Sequence, residues 1–138
     1  MDMSTAMQNL NWLAIIVSAV STFLIGGLWF SPVLFGKAWM ELNGFKESDL
    51  QGGQGRIFGV SFILALVMAF NLAMFLAAPE VDFSFGLIAG FLTGFGWVAM
   101  AFGVTYLFER KPIKLFWINA GYHMVAFTVM GGILGAWK

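Results

Sequence analysis

Charge is missing from most of this chain, and the places where it is missing constrain the fold more than any motif. The seven basic and seven acidic side chains leave four stretches with none: 3–36, 57–79, 83–108 and 115–137. A helix rises about 1.5 Å per residue, so about 20 apolar residues cross a hydrocarbon layer of roughly 30 Å. Each stretch is long enough. A charge at the bilayer centre costs about 2.5–3.5 kcal/mol on insertion scales, which explains why the stretches stay empty. The spacing predicts helices near 10–30, 57–78, 84–107 and 115–136. Membrane-crossing strands are alternating segments of about 10 residues, at least eight of them, and these runs are too long for that.

Composition agrees. Hydrophobic residues make up 60% of the chain and charged ones 10%, against roughly 25% charged in soluble domains. Too few polar groups remain to cover a soluble fold, and a lipid-facing surface removes the need. The expected fold is all-α: a single-domain integral membrane four-helix bundle. Basic and acidic residues balance, so nothing points to nucleic acid. The absence of cysteine rules out disulfides and thiolate metal sites. The N-terminus lacks a basic leader region, and the first apolar run is too long for a signal-peptide core, so it reads as a retained helix.

The connections are informative. Residues 79–82 form a tight turn, and so do residues 109–112, where Pro112 stops a helix from running through. Short loops make helices 2, 3 and 4 antiparallel neighbours. The first connection is longer. Ser31 reads as an N-cap and Pro32 as the first helical residue, with a stop at Asn43-Gly44. Phe35, Trp39 and Leu42 share a face, and Lys37 and Glu41 stand at i,i+4. Residues 32–43 therefore read as an amphipathic interfacial helix between helices 1 and 2. Gly52 to Gly55 read as a flexible joint, with helix 2 starting only at 57. That stretch lacks the Lys-Ser/Thr pair and preceding strand of a phosphate loop.

Six basic residues (Lys37, Lys46, Arg56, Arg110, Lys111 and Lys114) fall on one side and only Lys138 on the other. The positive-inside rule then puts both ends of the chain on the outer side. Tryptophans mark two belts: Trp12 and Trp137 outside, Trp29, Trp39 and Trp117 inside. Trp97 is the exception at mid-depth, where its N–H needs a partner or a protein interior.

Lipid offers no hydrophobic drive for helix association, so small residues must let helices touch. Gly86, Gly90 and Gly94 form one groove on helix 3. Ser61, Ala65, Ala69, Ala73 and Ala77 form a stripe on helix 2; Gly121, Thr128, Gly132 and Gly135 form one on helix 4. These faces serve packing within the chain, and one of them offers a surface for a homo-oligomer.

The spans hold no Asp, Glu, Lys or Arg, which argues against a proton-coupled exporter built on a buried carboxylate. Asn119 and His123 share a face at i,i+4, with Thr22 at a similar depth. Asn71, Thr93, Thr128 and Ser18 form a second polar level. These residues either line a cavity, with His123 as the group that titrates near neutral pH, or they are packing hydrogen bonds worth about 0.6 kcal/mol each. Within one chain, one histidine and no cysteine cannot supply the ligands of a zinc site, which leaves only an axial site using His123 from several copies, and no nucleophile–base–acid set is visible. No metal, cofactor or catalytic residue is expected.

Two segments carry a resemblance. The first runs Trp29-Phe30-Ser31-Pro32-Val33-Leu34-Phe35-Gly36-Lys37-Ala38-Trp39, and the second Ile118-Asn119-Ala120-Gly121-Tyr122-His123. Together they resemble a bacterial family of small four-helix membrane proteins, domain-of-unknown-function family 1761, over most of the chain. The resemblance implies a four-helix fold, a bacterial inner-membrane location and no particular activity. In the first segment, Trp29 and Trp39 bracket the headgroup level, Ser31-Pro32 turns the chain, and Lys37 reaches lipid phosphate. This elbow anchors the chain at the interface, docks a partner or gates an inward cavity. Three functions are compatible with these residues. The chain is a homo-oligomeric module that binds or passes a small neutral or apolar solute. Or it is a non-catalytic accessory subunit of a larger membrane complex. Or His123 serves a haem or enzyme site shared between copies.

Overall fold

The computed structural model describes all 138 residues, and every regular element is helical. In chain order these are α1 (Met3–Gln8), α2 (Trp12–Trp29), α3 (Gly36–Asn43), a 3-10 turn (Glu47–Leu50), α4 (Gln54–Phe75), α5 (Phe83–Thr93), a π-helical segment (Gly94–Ala99), α6 (Met100–Phe108) and α7 (Ile113–Ala136). α5, the π segment and α6 run on as one helix, Phe83–Phe108. Three helices are long and apolar enough to cross a membrane: Trp12–Trp29, Gln54–Phe75 and Phe83–Phe108.

α7 is as long, at 24 residues, but carries Asn119, Tyr122 and His123 along its length. It is the hub of the fold, packing against α2, α4, α5, the π segment, α6 and the start of the elbow helix α3. A helix shielded by its neighbours meets less lipid and tolerates polar groups that a lipid-facing helix does not.

Glycine makes the tightest seam. Along α5 and α7 the backbones touch: a Cβ on Gly86 would fall on the Gly131 carbonyl oxygen, and one on Gly131 would fall on that of Gly86. A Cβ on Gly90 would strike the Phe127 carbonyl, and one on Gly94 would lie 2.9 Å from the Met124 Cα. The α7 side of this seam is therefore Met124, Phe127, Gly131 and Gly135. Of the expected stripe through Gly121, Thr128, Gly132 and Gly135, Gly135 lies in this seam, Thr128 borders it at Gly90 and Gly132 packs on the α5 side chains of Phe83 and Leu87, whereas Gly121 faces Trp29 instead. The glycine groove of α5 is filled by α7. On α4, Ala65, Ala69 and Ala73 are buried, as is Ala77 just past its end, and this helix packs on α2. One main core joins Ile15, Leu72, Leu76, Phe127, Met130 and Leu134 from α2, α4 and α7.

The first connection departs from expectation at both ends. The surface helix begins at Gly36, not Pro32, and Ser31 does not cap it. The Ser31 hydroxyl donates back to the Leu28 carbonyl (2.7 Å). The chain reverses tightly instead, the Phe35 amide donating to the Trp29 carbonyl (3.0 Å) and the Gly36 amide to that of Ser31 (2.9 Å). Gly36 is required there, because a Cβ would strike the carbonyl oxygens of Phe30 and Ser31. Lys37 and Glu41 do not pair; the single ion pair is Lys111 with Glu109 at 3.6 Å. Gly44 ends α3 in the left-handed conformation (φ 71°), as glycine favours. At the far end the joint shrinks to Gly52 and Gly53, with φ of 83° and 73°. Helix 2 starts early, at Gln54, taking Gly55 into its first turn, and it ends at Phe75 rather than 78. Asp2 caps the unexpected α1 by accepting from the Thr5 amide at 2.8 Å.

Candidate functional site

The two segments that carry the family resemblance dock on each other. Trp29, the last residue of α2, donates its indole N–H to the Ile118 carbonyl of α7 at 2.9 Å. Gly121, one turn on, lets the ring lie against α7: a Cβ there would sit 3.1 Å from an indole carbon. Tyr122 makes the reciprocal contact, donating its hydroxyl to the Thr22 carbonyl of α2 at 2.8 Å. Gly26 leaves room for that ring, its missing Cβ 3.3 Å away. Thr22 is buried, and its own hydroxyl donates to Ala19 at 2.7 Å. Sequence spacing does not show this bond, because it uses Thr22 through its carbonyl rather than its side chain.

A run of aromatic contacts continues from the elbow around α7. Phe45 meets Trp39 (5.3 Å between ring centres), Trp39 meets Phe30 (5.9 Å), and Phe30 meets Tyr122 (5.4 Å). Beyond it, Tyr122 meets His123 (4.9 Å), His123 stacks on Phe102 (5.3 Å), and Phe102 meets Tyr106 (5.5 Å). The Asn119 amide donates to the Tyr106 hydroxyl at 2.7 Å, and Lys111 lies 5.2 Å from the centre of the Tyr106 ring. His123 is half-buried between two rings and makes no hydrogen bond. The polar groups of this knot join helices rather than converge on a reacting atom. Tyr122→Phe should therefore cost about 0.6 kcal/mol, and at most about 1.7, read as a small fall in melting temperature in detergent. A loss of folded protein would show that the hydroxyl does more than join α7 to α2.

The other expected polar residues separate. Asn71 is exposed and turns its amide back to the Val67 carbonyl of its own helix (3.0 Å), so it is not part of a layer with the α7 residues. Thr93 and Thr128 likewise bond their own helices, at Ala89 (2.8 Å) and Met124 (2.7 Å). Ser18 is fully buried with its hydroxyl unpartnered. Trp97 does not face the protein interior: it is 70% exposed and points away from the bundle. Pro32 and Lys37 are exposed at the elbow.

Beside the knot, α2 and α5 leave one face of α7 uncovered. The result is an open groove of about 460 Å³. Its floor is α7, along Trp117, Ile118, Gly121, Met124, Val125, Thr128 and Val129. Trp29 and Phe35 form the elbow end and Phe91 a side wall. With the Thr128 hydroxyl turned to its own helix, the walls are almost wholly apolar. The floor residues recur at three- and four-residue spacing, so they are visible in the sequence as a stripe. The missing neighbour above them is not.

Fold and groove together define an all-helical protein with three helices long and apolar enough to cross a membrane and an open apolar groove along α7. The family model described as protein of unknown function (DUF1761) matches residues 13–135, and the chain belongs to that family. No curated protein and no solved structure matches it.

Proposed function

We propose that this chain is a bacterial inner-membrane protein that binds a small apolar molecule in the α7 groove, without catalysis. In this reading α2, α4, Phe83–Phe108 and α7 are four antiparallel crossings in a single domain. The loops with six of the seven basic residues lie in the cytoplasm, and both ends of the chain lie outside. α3 rests at the inner interface, where the rings of Trp39 and Phe45 meet at a tilt. One observation carries the binding role: both family segments, through Trp29 and Phe35 and through Ile118 and Gly121, line the same groove. An apolar, laterally open groove of this size takes a solute from the hydrocarbon layer. A single chain forms it, since α7 already occupies the α5 glycines that would otherwise offer an oligomer surface.

Val125 is a floor residue 39% exposed, so Val125→Trp fills the groove without entering the core. Delipidated wild-type protein should retain methyl palmitate, a neutral apolar probe, as a one-to-one adduct in native mass spectrometry. Val125→Trp should lose the adduct at unchanged melting temperature. Equal retention by both proteins would place the probe elsewhere and sink the proposal.

A further inference from the structure

We infer that the resident of the α7 groove is an acyl chain of an anionic phospholipid whose phosphate is held by Lys114, with Lys37 as a second cation. This rests on the groove being a binding site. From Trp117 to Val129 the floor is about 18 Å long, slightly more than half of a hydrocarbon core of roughly 30 Å. It therefore reaches across one leaflet, as a single acyl chain does. The end that carries Trp29, Phe35 and Trp117 has the amphipathic rings that sit at headgroup level.

Charge identifies the headgroup. Lys114 precedes Trp117 and Ile118 by three and four residues, so it leaves α7 on the groove side, one turn beyond the floor. Lys37 stands in the first turn of α3, just past the end wall at Phe35. Both are exposed, and neither has an ion-pair partner, the only pair being Lys111 with Glu109. An uncompensated ammonium one turn from the end of an apolar groove suits a phosphate with its chain attached. A zwitterionic headgroup brings its own cation and gains less. A lysine near an anionic membrane surface is worth about fivefold in binding.

The test is native mass spectrometry of the delipidated full chain with dioleoyl phosphatidylglycerol or dioleoyl phosphatidylcholine. Wild type should retain the glycerol lipid about 25-fold over the choline lipid, from two lysines at about fivefold each. Lys37→Gln/Lys114→Gln should abolish that preference while still binding methyl palmitate. Lys37→Arg/Lys114→Arg should keep it, and Val125→Trp should bind neither lipid. Equal retention of both lipids by wild type, or a preference unchanged in the glutamine variant, overturns the headgroup assignment and leaves the groove standing. Full lipid binding by Val125→Trp overturns both.

Discussion

Gly90→Leu should leave little folded protein, or lower its stability by on the order of 3–5 kcal/mol. The reason is the seam between α5 and α7. A Cβ at Gly90 would meet the Phe127 carbonyl oxygen and lie 3.1 Å from the Thr128 Cα. These are backbone atoms of the hub helix, so no side-chain rotation makes room. The helices must separate, and the contacts at Gly86–Gly131 and Gly94–Met124 separate with them. In lipid no hydrophobic drive pushes them back together. Gly96→Leu is the matched control. It lies on the same continuous helix, but nothing comes within 4 Å of its missing Cβ, so it should change stability by no more than about 0.5 kcal/mol. Thermal unfolding by circular dichroism and gel filtration in one detergent separate the two. Coincident melting curves would show that the seam does not hold the bundle.

The contrast between Gly90 and Gly96 shows what this sequence makes legible. Charge-free stretches locate the long helices to within a few residues, because the cost of a membrane charge acts along the chain. Which way a face points is harder to read. Gly86, Gly90 and Gly94 follow the four-residue row and meet α7 together. At Gly94 the helix widens into the π segment Gly94–Ala99. The wider i→i+5 turn carries an extra residue, so every later side chain is rotated from the position that α-helical counting gives. Trp97 falls within that shift, so α-helical counting does not give its direction.

Local signals failed where a distant contact outweighed them. Ser31-Pro32 has the chemistry of a helix start, yet the Trp29 ring is held by Ile118, 89 positions away, and the chain must reverse before α3 begins. Gly55 lowers helix propensity by about 1 kcal/mol, yet Gly52 and Gly53 absorb the turn before it. For the site, the aromatic and polar members of the knot are visible as residues. The groove depends on α2 and α5 diverging over one face of α7. That is a property of two helices that the floor residues do not contact in sequence, so no stripe announces it.

Trp29→Ala should cost about 3–5 kcal/mol, the range for truncating a packed tryptophan, whereas Trp97→Ala should cost little. Both are indoles on long apolar helices, and hydropathy treats them alike. Their surroundings do not. Trp29 bonds Ile118, lies on Gly121 and meets the Phe35 ring at a tilt, 4.9 Å between centres. Its loss frees the end of α2 from α7 and opens the elbow. Trp97 is 70% exposed, and truncation there removes little packing against the rest of the chain. Trp29→Phe divides the larger effect: the ring remains, and the missing N–H should account for about 0.6–1.7 kcal/mol. The elbow is also the end wall of the groove, so Trp29→Ala should lose methyl palmitate even below its own melting temperature, and Trp29→Phe should retain it. If Trp29→Ala and Trp97→Ala melt together, the hydrogen bond to Ile118 is incidental and the elbow is only an interfacial anchor. If they separate while Trp29→Ala still holds the probe, the elbow stabilises the fold but does not close the groove.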